Sequence, residues 1–121
     1  MSKTILIVDD SASMRQLVTL TLNNAGFNVI QAKDGKDGVN KFSRDKMDLV
    51  ITDLNMPVMD GIEMIRQIRS GNSHQFVPII LLTTESQEEK KKQGKQAGAT
   101  GWIVKPFKPE QLVAVAKKVL G

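Results

Sequence analysis

Asp9 and Asp10 stand side by side at the end of the apolar run Ile5-Leu6-Ile7-Val8, an odd pairing of a buried segment with two carboxylates. Three other apolar runs end in the same way: LVIT leads into Asp53, IILL into Thr83 and Thr84, and WIV into Lys105. Taken singly, each has an ordinary reading. Adjacent aspartates cap helices, threonines follow strands, and a lysine before proline sits in solvated loops. Taken together, three acids, two hydroxyls and an ammonium occupy equivalent places after four apolar runs. Three carboxylates in one crevice repel each other, and keeping them ionised requires a cation. One lysine does not balance three negative charges, so a divalent metal is implied. The donors are all oxygen, which suits Mg²⁺ or Mn²⁺ better than zinc. Mg²⁺ keeps several waters and shares a phosphate with one or two carboxylates, so such a site asks for a phosphoryl group.

The elements that must hold these residues are legible as an alternation. Residues 4–8, 27–31, 48–52, 77–82 and 101–104 are short runs rich in aliphatic and β-branched side chains, long enough for strands and too short for helices. Between them lie segments with helical period. Met14, Leu17, Val18, Leu22 and Ala25 mark one face of a first helix that Gly26 can close. A second helix falls near residues 36–45. Asp60 can cap a third carrying Ile62, Ile65 and Ile68, with Gly71 just beyond its end. A fourth, over 86–96, has a capping box in Ser86 and Glu89, but its body QEEKKKQGKQ offers almost no apolar face and contains Gly94. Pro109 suits the first turn of a fifth, in which Leu112, Val115, Ala116 and Val119 recur at helical spacing. Strand and helix alternating five times predicts an α/β fold, a doubly wound parallel sheet joined by right-handed crossovers and covered on both faces. Ligands of such sheets bind beyond the carboxyl ends of the strands, where all six polar residues fall.

Composition removes several classes. A chain of 121 residues fits a single domain over 1–121. The absence of cysteine from the whole sequence rules out disulfides, thiolate metal sites and a cysteine nucleophile. No segment approaches the ~20 apolar residues of a membrane span, and the N-terminal run lacks the flanks of a signal peptide, so no membrane insertion and a cytoplasmic location are expected. The net charge of +4 is unevenly spread: residues 86–121 alone carry an excess of +5. With one tryptophan, four phenylalanines and no tyrosine there is little to stack on bases, and no nucleic-acid partner is expected. AKDGKDG contains glycines but fits neither dinucleotide nor Walker patterns. His74, the sole histidine, lies in the polar stretch SGNSHQ and is expected at the surface, while Met56 and Met59 read as turn and core packing beside Asp53.

The segments ILIVDD, DLVITDLNMPVMDG, PIILLTTES and GWIVKPF resemble, in order and over nearly the whole chain, the signatures of the receiver domain of two-component response regulators. The resemblance implies a flavodoxin-like, CheY-like sheet of order 2-1-3-4-5 with five helices. It implies Asp53 as the residue that takes a phosphoryl group from the phosphohistidine of a sensor histidine kinase. Mg²⁺ would be held by Asp10, Asp53 and the backbone carbonyl of Asn55, with Asp9 supporting through metal-bound water. Thr83 and Lys105 would contact the phosphoryl oxygens, and the Lys105–Pro106 bond would be cis. Asn55 and Glu85 would border the path of the hydrolytic water and tune the lifetime of the acyl phosphate. The protein would catalyse its own phosphorylation and dephosphorylation while serving as a signalling module rather than an enzyme.

Two departures from the family pattern concern the switch. Trp102 stands where tyrosine or phenylalanine is more common; it either moves inward as Thr83 is drawn to the phosphate or stays as a partly buried anchor. Thr84 is larger than the alanine often found beside the switch hydroxyl and narrows access. The resemblance places the signalling face on the fourth helix, fifth strand and fifth helix, where Lys90, Lys91, Lys92, Lys95, Lys108, Lys117 and Lys118 lie. That lysine cluster is either solvated surface or a docking face. The expected product is a monomeric receiver without an output domain, acting in chemotaxis or motility on a flagellar switch component, a phosphatase or a relay protein. The alternatives are a phosphorelay shuttle and a metal-dependent phosphohydrolase with Asp53 as nucleophile. Phosphohydrolases of that kind usually carry a second acid two residues beyond a nucleophile on the first strand, whereas VDDS has adjacent acids.

Overall fold

The computed structural model describes residues 2–71, 76–84 and 88–121. Five strands and five helices alternate along it: β1 Thr4–Val8, α1 Ala12–Asn24, β2 Asn28–Ala32, α2 Gly35–Arg44, β3 Leu49–Thr52, α3 Gly61–Ser70, β4 Ile79–Thr83, α4 Glu88–Ala97, β5 Gly101–Val104 and α5 Pro109–Leu120. All strand pairs are parallel, in the order β2-β1-β3-β4-β5. The fold is the doubly wound sheet expected from the alternation, with the strand order implied by the family resemblance. Among the described residues no helix is long and apolar enough to cross a membrane.

Strand residues are buried according to their place in the sheet. β3 and β4, at or near its centre, are buried at every position, as expected where both faces are covered. β2, at the edge, buries only Ala32. One side of the sheet packs Leu6, Val8, Val50, Ile79 and Leu81 against α2 and α3 residues such as Phe42, Ile62, Met64 and Ile65. The other packs Ile5, Ile7, Ile51, Ile80 and Ile103 against Val18 and Leu22 of α1 and Leu112 and Ala116 of α5.

Helix starts follow their caps. Ser11 accepts from the Met14 N–H, Asp34 from the Asp37 N–H and Asp60 from the Glu63 N–H, each satisfying an orphan donor of the first turn. The Asp34 cap starts α2 one residue earlier than the sequence pattern indicates. At the far end of α1, Gly26 takes φ 97°, a left-handed conformation that suits glycine. One expectation fails in α1: Leu17 is 46% exposed. Met14, Val18 and Leu22 repeat every four residues and define the buried line, and Leu17 lies about 100° around the helix from Val18. His74, Glu85 and the Ser86 half of the expected capping box lie outside the described residues.

Candidate functional site

The backbone ladder of the sheet runs one step past the strand ends and fixes the polar residues there. The Asp9 N–H donates to Ala32 O at 3.1 Å, the Asp53 N–H to Val8 O at 2.9 Å and the Lys105 N–H to Thr83 O at 2.8 Å. Three side chains distant in sequence are thereby set by ordinary strand pairing. Asp9, Asp10 and Asp53 each offer a carboxylate oxygen within 4.8 Å of the others. Lys105 reaches across the sheet to this cluster, its Nζ 3.0 Å from Asp9 Oδ2 and 3.5 Å from Asp53 Oδ2.

The three acids differ in what remains free on them. Asp9 is buried; its Oδ1 accepts the Ser11 N–H at 2.9 Å and its Oδ2 the Lys105 ammonium. Both of its oxygens are thus engaged by protein donors. Asp10 is exposed. Asp53 lies between these extremes, its Oδ1 accepting the Leu54 N–H at 2.7 Å while Oδ2 faces Lys105. Burial pushes the Asp53 carboxyl above the ordinary carboxylate range; Lys105 opposes the rise, the Asp9 charge adds to it, and hydrogen bonds from Leu54 and Thr83 oppose it. A carboxyl lifted by burial and a neighbouring acid, with one lysine in partial compensation, is a place where added positive charge is favourable. The donor set fits Mg²⁺, which accepts a few carboxylates and fills its other positions with water.

Thr83 is fully buried at the end of β4, whereas its neighbour Thr84 is exposed. Asn55 is exposed in the loop after β3. The Lys105–Pro106 bond is cis, as the resemblance implies. Trp102 on β5 is half-buried and packs against the core side that holds Leu81. Its Nε1 is buried without a hydrogen-bond partner among the described residues. Lys91 lies 6.0 Å from the ring centroid, and Lys91, Lys95 and Trp102 line a shared cavity of about 300 Å³. Lys92 flanks Lys91 and Lys95 in a second cavity on α4. Lys90 is half-buried, and Lys108 and Lys118 are exposed. Lys117 departs from this group and lines a groove against Leu20 of α1.

The structure also brings in residues that the sequence pattern does not signal. Arg15 of α1 donates from Nη1 to the Asp9 carbonyl at 2.6 Å, bracing the turn that carries both first-strand acids. The Thr52 hydroxyl donates to the Asp53 carbonyl at 2.9 Å. A Cβ at Gly61 would strike that same carbonyl oxygen, so glycine is needed for α3 to begin against the back of Asp53. Only for Gly61 is there a clue in the sequence, its place directly after a helix-capping aspartate.

The chemotaxis protein CheY4 of Vibrio cholerae superposes with a TM-score of 0.94 at 45% identity, covering 98% of this chain and 99% of that one. The receiver domain of the sensor histidine kinase PA1611 from Pseudomonas aeruginosa PAO1, whose structure has a magnesium ion coordinated in the active site cleft, gives 0.93 at 29% identity, covering 100% and 99%. The phosphate regulon transcriptional regulatory protein PhoB of Pseudomonas aeruginosa is 38% identical over 118 residues, 98% of this chain and 52% of PhoB. The chain thus spans about half the length of the curated relatives it matches. The profile of the response regulator receiver domain matches residues 5–117, and the chain belongs to that family.

Proposed function

We propose that this receiver accepts a phosphoryl group on Asp53 from the phosphohistidine of a sensor kinase and signals through the surface around α4, β5 and α5. The observation that carries the reading is the placement of Asp53 at the end of β3, between two other carboxylates and the Lys105 ammonium. In the transfer an Asp53 oxygen attacks phosphorus as the P–N bond breaks. The imidazole leaves with the bonding electron pair, neutral because its other ring nitrogen carries a proton. Lys105 meets the charge that spreads onto the phosphoryl oxygens in a loose transition state, and the Thr83 hydroxyl supplies a donor beside it.

Asp10, Asp53 and the Asn55 carbonyl would hold Mg²⁺, with Asp9 behind them acting through water. The burial of Asp9 behind the Ser11 N–H and the Lys105 ammonium supports this division, since Asp10 is exposed and Asp53 only partly buried. When bound, the metal neutralises phosphoryl charge that a single lysine does not balance. Asn55, exposed in the loop after β3, would border the path of the water that later hydrolyses the acyl phosphate, and Thr84 would narrow the entrance.

Trp102 supports the choice of output face. A buried indole N–H without an acceptor among the described residues forfeits about 1–3 kcal/mol, which favours a change of seat when Thr83 is drawn to the phosphate. The partner is a protein with acidic residues around an apolar anchor. The likeness to a chemotaxis protein over the full length of both chains favours a motility target such as a flagellar switch component or its phosphatase.

The test is phosphorylation by phosphoramidate or acetyl phosphate with Mg²⁺, followed by mass spectrometry. One acid-labile phosphoryl group is expected on Asp53, and none in Asp53→Asn. Label at another residue, or undiminished label in that variant, rejects the assignment. Steady turnover of small phosphomonoesters would favour a phosphohydrolase instead.

A further inference from the structure

The loop from Leu54 to Asp60 carries Asn55, and its ends are fixed locally. The Leu54 N–H is held by the Asp53 carboxylate, and the Gly61 N–H closes the loop by donating to Leu54 O at 2.8 Å. Its far side is an awkward tight turn. The Met59 N–H donates to Pro57 O at 2.7 Å around Val58, whose φ is 70°. Three-residue turns of that hand are rare and strained, and a β-branched residue with positive φ is an outlier. Val58 is 78% exposed, so packing of its side chain does not enforce the conformation. Strained backbone persists where the surroundings over-determine it.

Among the described residues, two contacts hold the turn from outside: the Met59 side chain packs against the core, and Gly35, the first residue of α2, meets the Met59 backbone. The Gly35 N–H donates to Met59 O at 3.2 Å. A Cβ at Gly35 would come within 2.5 Å of that oxygen and 2.9 Å of Met59 Cβ and Cγ. Asp34 caps α2 through the Asp37 N–H, and Asp37 in turn accepts the Lys33 N–H at 3.0 Å, so the segment presenting Gly35 is itself braced. The loop is therefore pinned at both ends and at its apex, with Asn55 between the pins.

We propose that Gly35 is a positioning residue for the metal site. Acting through Met59, it holds the 54–60 loop in the strained arrangement from which the Asn55 carbonyl would join Asp10 and Asp53 in holding the metal. This rests on the metal assignment proposed above and adds to it a contact from the opposite loop. If the Gly35–Met59 bond and bound metal favour the same loop arrangement, each must strengthen the other by the same factor.

The linkage is measurable in the wild-type chain. Saturating Mg²⁺ should slow amide exchange at Gly35 several-fold, with binding followed by calorimetry. Gly35→Ala should weaken Mg²⁺ binding about tenfold, the scale on which lost support for metal ligands usually shows. Gly71→Ala, where a Cβ would meet nothing closer than 3.4 Å, should leave affinity unchanged and serves as control. A purely structural glycine would lower the melting temperature of Gly35→Ala without altering either readout. Mg²⁺ binding of equal affinity in wild type and Gly35→Ala overturns the inference alone, and so does Gly35 exchange that is indifferent to Mg²⁺. The exchange result decides the matter if the variant does not fold. No Mg²⁺ binding by the wild type removes the metal assignment and this inference with it.

Discussion

α3 and α4 are both ten residues long and follow each other along the chain, yet they are held to the molecule by different means. α3 buries Gly61, Ile62, Met64, Ile65 and Ile68, whereas α4 buries only Gly94. That glycine lets α4 lie close to the sheet: a Cβ there would fall 2.7 Å from Leu81 Cδ1 and 3.3 Å from Trp102 Cζ3. The firmest polar tie is at the end of α4. Arg69, from the last turn of α3, donates from Nε and Nη2 to Gly98 O at 3.1 and 2.7 Å and from Nη1 to Val77 O at 2.5 Å. One helix is thus fixed along its length by apolar burial and the other chiefly at its C-terminal end. The difference puts the weaker packing beside Trp102 and the stronger behind Asp53.

The largest effect should come from the packed helix. Ile65 is fully buried, and Ile65→Ala should cost about 2–5 kcal/mol of stability in denaturant melts. Lys92→Ala, exposed on α4, should change it by about 0.5 kcal/mol or less. Amide exchange in α4 should be faster than in α1, α3 and α5. Equal protection in all four helices would break the comparison.

Next in size is the clamp between the two helices. Arg69→Met keeps an apolar stem and removes the guanidinium from the Gly98 and Val77 carbonyls, at a cost of about 1–3 kcal/mol. The sharper readout is local: exchange in the last turn of α4 should rise towards that of its first turns. A uniform loss of protection throughout the domain would mean that Arg69 serves the whole fold and does not pin α4.

A smaller effect is expected from the charge of Asp53, against whose backbone α3 begins. The Asp53 carboxyl titrates above its unfolded value because of burial, so in metal-free protein it holds its proton to higher pH than the unfolded chain does. Between those two values the native state binds more protons, and stability falls as pH rises through the window. Above the window the penalty stays constant. Asp53→Asn in chelator should therefore be more stable than wild type near neutral pH, with the advantage vanishing as pH falls through the ordinary carboxylate range. An advantage that persists in acid would place its origin outside this ionisation.

How much of this was legible before the structure depends on the kind of interaction. The strand-end residues could be read because each follows its own apolar run, and parallel pairing then carries Asp9, Asp53 and Lys105 to one edge. The weakness of α4 could be read because a helix without an apolar face has little to bury. The clasp of Arg15 on the Asp9 carbonyl, the fork of Arg69 on Gly98 and the closeness of Gly35 to Met59 could not. They are approaches between segments far apart in sequence, and residue type alone does not signal them. Leu17 was misplaced for a related reason: the apolar residues of α1 suggest a broad stripe, but the neighbouring helix and sheet cover only the line through Val18 and Leu22.

The smallest effect on stability, and the most specific effect on signalling, is expected at Lys91 and Lys95. Both border the cavity beside Trp102, on the loosely packed helix, and no salt bridge between either side chain and an acid is found among the described residues. Solvated lysines contribute little to folding, so Lys91→Glu and Lys95→Glu together should leave the melting temperature nearly unchanged. If an acidic partner docks there, the same reversal should slow its association with the phosphorylated protein. It should also flatten the decline of association rate with salt, because charges at the rim of an interface act mainly on encounter over a Debye length of about 10 Å at 0.1 M. Phosphorylation of Asp53 should proceed at the wild-type rate, since these residues lie on α4 and not at the strand ends. Stopped-flow association against ionic strength gives the answer. Rates indifferent to both salt and charge reversal would return these lysines to solvated surface and leave α4 distinguished from α3 by its packing alone.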